Sequence, residues 1–254
     1  MPVPDFSLSE RVALLTGAGR GIGLGIAQAF ASTGCAVAIQ DIDRDIAESE
    51  ADKIRQSGGR AIALGGDVHD IDAVPEWVDQ TVSQLGGIHI LVNNAAVQSQ
   101  RSFLEWSPRE MEQQLRADLI APILLCQRVV PIFREQQWGR ILNIGSIQGR
   151  SGNLNMLPYS MSKVALNGLT MALARHVVKD GITVNLLAPG FFKTLRNADV
   201  FATPQKEAEA HKWVPAGRAG DPKDIAGIAL ALCSPAGSYV TGQIIYIDGG
   251  MSAR

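Results

Sequence analysis

Short runs of β-branched and aliphatic residues recur along this chain, separated by longer stretches with helical spacing. That alternation limits the fold more than any other feature. Val12–Thr16, Ala36–Gln40, Ala61–Leu64, Ile88–Val92, Arg140–Ile144, Thr183–Leu187 and Gln243–Ile247 read as strands. They are near-continuously apolar, as strands are when helices cover both faces of a parallel sheet. Right-handed crossovers between such strands build a doubly wound sheet in a three-layer α/β/α sandwich. With 254 residues, 46% of them hydrophobic, the chain can bury one large core, and no repeat, low-complexity tract or linker divides it. One α/β domain of about seven strands over residues 1–254 is expected. The one long irregular stretch, Gly190 to about Pro215, follows the carboxyl end of a strand and is expected to form a lid.

Charge and cysteine usage exclude several classes. A net charge of −2 and a pI near 6.1 come without a basic run or an arginine patch interleaved with aromatics, so no nucleic-acid partner is expected. No apolar run approaches the ~18 residues of a membrane helix, and the opening Met-Pro-Val-Pro-Asp-Phe lacks the order of a secretory signal; a soluble, cytoplasmic protein is expected. Cys35, Cys126 and Cys233 are odd in number, far apart and mostly flanked by apolar residues, which suits buried thiols better than a disulfide framework. His69, His89, His176 and His211 show no ligand spacing, so no metal is indicated.

The first strand runs into Thr16-Gly-Ala-Gly-Arg-Gly-Ile-Gly23, and a helix, Leu24–Ser32, follows. Glycines let the backbone turn sharply and approach a pyrophosphate, while the helix N-terminus offers it unpaired N–H groups and partial positive charge. Asp41, at the end of the second strand about 20 residues on, is placed to accept hydrogen bonds from an adenosine ribose. These features point to a Rossmann-type dinucleotide site. A carboxylate there accepts from a free 2′-hydroxyl and repels a 2′-phosphate, which favours NAD. Arg20 in the turn pulls the other way, so NADP stays open. Asp43 is the better N-cap for the helix that begins near Arg44.

Tyr159 and Lys163 stand four residues apart in a segment of helical spacing. Side chains at i and i+4 share a face, and a nearby cation favours the phenolate, which makes the pair a candidate acid/base unit. Ser146 lies just beyond the carboxyl end of a strand, the edge at which open α/β sheets bind ligands.

Taken together, these segments resemble the short-chain dehydrogenase/reductase family over essentially the whole chain. The family's Thr-Gly-x-x-x-Gly-x-Gly corresponds to Thr16, Gly17, Gly21 and Gly23, with Arg20 and Ile22 in the same turn; its acid after the third strand is Asp67, followed by Val68. Its Asn-Asn-Ala-Gly becomes Asn93-Asn94-Ala95-Ala96, and its Pro-Gly after the sixth strand is Pro189-Gly190, followed by Thr194. Its active-site serine matches Ser146, and its Tyr-x-x-x-Lys matches Tyr159 and Lys163. The resemblance implies hydride transfer between a nicotinamide and a secondary alcohol or ketone, with Tyr159 exchanging the proton, Ser146 holding the substrate oxygen and Lys163 also bonding the nicotinamide ribose. It implies that Asp67 contacts adenine, that Val68, Asn94 and Ala95 line the cofactor cleft, and that Pro189, Gly190 and Thr194 touch the nicotinamide half. It also implies a homotetramer assembled through the helices around 108–134 and 159–179 and the C-terminal segment.

Two positions depart from the family pattern. Ala96 replaces a glycine, which matters only if its φ is positive. Asp118 replaces the family's catalytic asparagine, whose main-chain carbonyl binds a water relaying protons from the lysine. Pro122, four residues on, has no N–H to bond that carbonyl, so Asp118 is expected to keep the backbone role. The segment linking Ser146 to Tyr159 is polar, and Gln148, Arg150 and Asn153 are candidate contacts for a sugar, polyol or sugar acid, Arg150 for a carboxylate. Competing readings are an NADPH-dependent 3-oxoacyl-thioester reductase, which Asp41 disfavours, and a non-catalytic dinucleotide-binding protein, which the retained Ser146, Tyr159 and Lys163 disfavour.

Overall fold

A computed structural model describes residues 3–253 of the chain. Seven strands, β1 (Val12–Thr16), β2 (Ala36–Asp41), β3 (Ala61–Gly65), β4 (Ile90–Asn93), β5 (Gly139–Ile144), β6 (Ile182–Pro189) and β7 (Ile244–Ile247), form one sheet in the order β3-β2-β1-β4-β5-β6-β7. Every neighbouring pair is parallel. All seven expected strands are present, with ends displaced by at most two residues.

The helices are α1 (Gly21–Ser32), α2 (Arg44–Gln56), α3 (Val74–Leu85), α4 (Pro108–Leu115) and α5 (Ala121–Gln136). After β5 come a single turn α6 (Gln148–Ser151), the long α7 (Leu157–Val177), α8 (Pro204–His211) and α9 (Pro222–Cys233). Side chains alternate across a strand, and each strand feeds two cores. Ala13 and Leu15 of β1 pack in a cluster with Ile26 and Phe30 of α1, Ala51 of α2 and Ile225 of α9. Leu14 joins the opposite cluster, with Trp77 of α3, Leu125 and Phe133 of α5 and Val177 of α7. Burial on both faces explains the absence of polar alternation along the strands.

Local chemistry sets several boundaries. Asp43 caps α2 by accepting from the Ile46 N–H at 3.2 Å. Ser107 and Glu110 form a capping box at α4, with Pro108 in the first turn. α1 begins at Gly21, three residues before the expected start. Residues 190–215 are not irregular as expected: they contain a 3₁₀ segment, Leu195–Val200, and α8, which Thr203 caps by accepting from the Lys206 N–H. Between α4 and α5, Arg116–Ile120 forms a π-helical turn, closed by the Ala121 N–H donating to the Arg116 carbonyl. Pro122, which cannot donate, stands at its exit, and a wider turn is one way a helix accommodates a missing donor.

Cys35, Cys126 and Cys233 are buried and unpaired. Among the described residues no helix is long and apolar enough to cross a membrane.

Candidate active site

The order of strands reverses between β1 and β4, and a cleft of about 720 Å³ opens there at the carboxyl edge of the sheet. On the β1 side the chain leaves the sheet at Gly17, whose φ of +58° suits glycine; a Cβ there would lie 2.8 Å from the Ala95 Cα. Thr16 ties the two strands: its Oγ1 accepts from the N–H groups of Asn94 and Ala95, both at 3.1 Å. The Asn94 amide donates to the carbonyls of Thr16 and Gly17, fixing the turn from the β4 side. No side chain caps the first turn of α1, so its leading N–H groups are left for an anion.

Asp41 lines the cleft at the end of β2 and is 5% exposed. Its carboxylate accepts from the Gly19 N–H at 3.0 Å and the Asp43 N–H at 3.1 Å. Arg20 pairs with Asp43 at 3.5 Å. At the same end Asp67 holds His69 through its ring Nδ1 at 2.7 Å and its N–H at 2.9 Å. These two contacts and the attraction of the His69 ring lower the Asp67 pKa against a burial effect of opposite sign.

On the other side, Ser146 follows β5, and its Oγ accepts from the Gln148 N–H at 3.2 Å. Tyr159 and Lys163 lie on one face of α7, and both are buried. The Lys163 ammonium stands 5.4 Å from the centre of the Tyr159 ring and donates to the Ile144 carbonyl at 3.2 Å. The bond to Ile144 pins the side chain to the end of β5, beside Ser146.

Asp118 sits in the π turn, 1% exposed. Its carboxylate accepts from the Val97 N–H at 2.8 Å and from the Gln114 amide at 2.9 Å. Burial pushes its pKa up, opposed by Lys163, the Val97 N–H, Gln114 and Arg196. The side chain therefore has structural partners of its own, which the reading of a backbone role alone did not include.

The cleft brings together most of the expected residues. Gly17, Arg20, Gly21, Ile22, Asp41, Asp67 and Val68 line one half. Asn94, Ala95, Ser146, Gln148, Tyr159, Lys163, Pro189, Gly190 and Thr194 line the other. Four expected residues do not line it, Asp118 of the π turn and three others. Gly23 does not line the cleft: a Cβ there would lie 2.5 Å from the Asn94 Nδ2 and 2.8 Å from the Gly17 carbonyl, so it is a packing glycine behind the turn. Arg150 is exposed, donates to the Ser252 carbonyl at 3.0 Å and lies over the Tyr246 ring, outside the cleft. Asn153 is also outside it; its side chain caps the 3₁₀ turn Leu154–Met156 by accepting from the Asn155 N–H. Ala96 has no positive φ, so it takes the glycine's place without backbone strain.

Sequence reasoning missed Gln40 and Gln114, and placed Arg196 only as one residue of the expected lid. Gln40 accepts from the Gly17 N–H and donates to the Gly66 carbonyl, bridging the turn to the end of β3. Its signal was a polar residue inside an apolar strand. Gln114 stands four residues before Asp118, a local helical pair that could have marked it, whereas its bond to the Val97 carbonyl and both bonds of Arg196 join segments distant in sequence.

Comparison with known proteins agrees with this geometry. A family model described as Enoyl-(Acyl carrier protein) reductase matches residues 17–252. The 3-oxoacyl-(acyl-carrier-protein) reductase FabG of Aquifex aeolicus (strain VF5) is 34% identical over 97% of this chain and 99% of its own. The 5-keto-D-gluconate 5-reductase of Escherichia coli (strain K12) is 34% identical over 97% of each chain. The crystal structure of a gluconate 5-dehydrogenase from Burkholderia cenocepacia J2315, in complex with NADP and tartrate, superposes with a TM-score of 0.91 at 32% identity, over 99% of this chain and 98% of that one. Glycine turn, strand order, the Tyr159–Lys163 face of α7 and near-full-length matches agree: the chain belongs to the short-chain dehydrogenase/reductase family, oxidoreductases that act on CH–OH groups.

Proposed function

We propose that this protein is an NAD-preferring oxidoreductase that interconverts a secondary alcohol and a ketone on a sugar acid or related polyol, with Tyr159 as general acid/base. The observation that carries this reading is the convergence of Ser146, Tyr159 and Lys163 on one wall of the cleft that also holds the glycine turn and Asp41. The site fits a dinucleotide: the Gly17 turn and the uncapped α1 suit a pyrophosphate, and Asp41 suits an adenosine ribose. The bound nicotinamide supplies hydride chemistry. Tyr159 gives its proton to the substrate oxygen in reduction and takes one in oxidation, while Ser146 donates a hydrogen bond to that oxygen. Lys163, whose Nζ lies 5.4 Å from the centre of the Tyr159 ring, would hold the nicotinamide ribose of a bound dinucleotide. Asp67 and Val68 would border the adenine. The carbonyl of Asp118, in the widened turn ahead of Pro122, would accept from a water relaying protons from Lys163.

Asp41 is the ground for NAD over NADP, since its charge opposes a 2′-phosphate, and the Arg20–Asp43 pair weakens the competing attraction. The sugar-acid class is supported by the 5-keto-D-gluconate and gluconate relatives. Residues 190–215 act as a lid on this one domain, the protein works in the cytoplasm, and it assembles as a homotetramer. A second reading, an NADPH-dependent 3-oxoacyl-thioester reductase, draws on the Aquifex relative, and Asp41 stands against it.

A panel of sugar acids, polyols and 3-oxoacyl thioesters, each with NAD(H) and NADP(H), tests the proposal. The highest kcat/KM is expected for a sugar acid with NAD(H). A thioester reduced fastest with NADPH would replace this reading with the second one.

A further inference from the structure

We infer that Arg196 is the residue that recognises the substrate carboxylate, making the site selective for sugar acids over neutral polyols; the inference rests on the sugar-acid reading above. Two arginines line the cleft. Arg20 belongs to the adenosine end and is paired with Asp43. Arg196, on the 3₁₀ segment after β6, has no acidic partner within salt-bridge distance among the described residues. Its Nη1 donates to the Gln98 Oε1 at 3.0 Å and its Nη2 to the Ala96 carbonyl at 2.9 Å. It thus reaches from the segment after β6 to the loop after β4.

That loop borders the catalytic side of the cleft. Gln98 touches the Met156 sulfur at 3.6 Å, and Met156 lines the cleft three residues before Tyr159. Val97, between the two acceptors of Arg196, is held by Asp118, whose carboxylate feels both Lys163 and Arg196. Lys163, the other cation on this side, is buried and bound to the Ile144 carbonyl beside the reacting groups. Arg150, suggested by sequence, faces away. An exposed guanidinium held only by neutral acceptors can exchange them for a carboxylate, which accepts two parallel N–H bonds and strengthens both through charge. A neutral polyol offers no such gain, so the fork gives selectivity without touching the reacting carbon.

The experiment compares kcat/KM for 5-keto-D-gluconate and for L-sorbose, in which a hydroxymethyl group replaces the carboxylate, in wild type, Arg196→Gln and Arg196→Lys. The acid-over-neutral ratio is expected to fall about 10- to 100-fold in Arg196→Gln, mainly through KM for the acid, with Arg196→Lys intermediate. An unchanged ratio, whether both substrates lose activity together or neither does, overturns the inference and leaves the sugar-acid reading standing. Wild type that turns over neither this acid nor any other sugar acid overturns both.

Discussion

Asp118 places a carboxylate among two amide donors and two cations, and its neighbours say what it is for. The Val97 N–H and the Gln114 amide tie it to the loop that borders the catalytic side of the cleft. Removing it by Asp118→Ala leaves the half-buried Val97 N–H without its carboxylate partner and frees that loop, so KM should rise more than kcat falls, by about tenfold. Asp118→Asn keeps an acceptor oxygen for Val97 and leaves the main-chain carbonyl in place; turnover within about tenfold of wild type is expected, and a hundredfold gain would show that the charge itself opposes catalysis. Burial raises the native carboxyl above its unfolded pKa of about 4. The native state then holds a proton that the unfolded chain has lost, and this group's stabilising contribution falls as pH rises through that window. Urea unfolding of wild type and Asp118→Asn from pH 4 upward should show that loss only in wild type; parallel curves would refute it.

At the scale of elements, the turn between β1 and α1 depends on one backbone geometry. Gly17→Ala combines a φ of +58° with a Cβ 2.8 Å from the Ala95 backbone, and strain of roughly 1–2 kcal/mol from the left-handed conformation alone is expected. NAD affinity measured by fluorescence should fall at least about tenfold, with a lower Tm. Asp41→Asn keeps an acceptor for the Gly19 N–H while removing the charge, so the NAD-over-NADP ratio of kcat/KM should fall about tenfold or more. An unchanged ratio would show that Asp41 does not set the preference.

The strands and the glycine turn were legible in sequence because burial on both faces and positive φ leave local marks. α8 left marks too, Thr203 followed by Pro204, but its short, weakly apolar pattern hid it. The substrate side was least legible. Gln148 and Arg150 are two residues apart in the turn α6, which sends their side chains to opposite faces, one into the cleft and one out. Arg196 is 100 residues from the carbonyl it binds, a contact that only the fold creates.

Across the whole molecule, two surfaces are left incompletely covered. α7 exposes Met161, Val164 and Met171 at helical spacing, between 47% and 53% exposed, on the side away from the sheet. β7 is an edge strand whose residues are all only partly buried. Both lie on the segments through which the proposed homotetramer would assemble. Light scattering should give a mass near four times 27.1 kDa, and Val164→Glu should reduce it. A wild-type monomer would contradict the assembly.

The central claim is that one tyrosine on α7 exchanges the proton while the dinucleotide cleft stays as it is. Steady-state kinetics of Tyr159→Phe on the best sugar-acid substrate with NAD(H), alongside NAD binding, tests it most directly. A loss of about 10²- to 10⁴-fold in kcat with NAD affinity retained is predicted; turnover within twofold of wild type would contradict it.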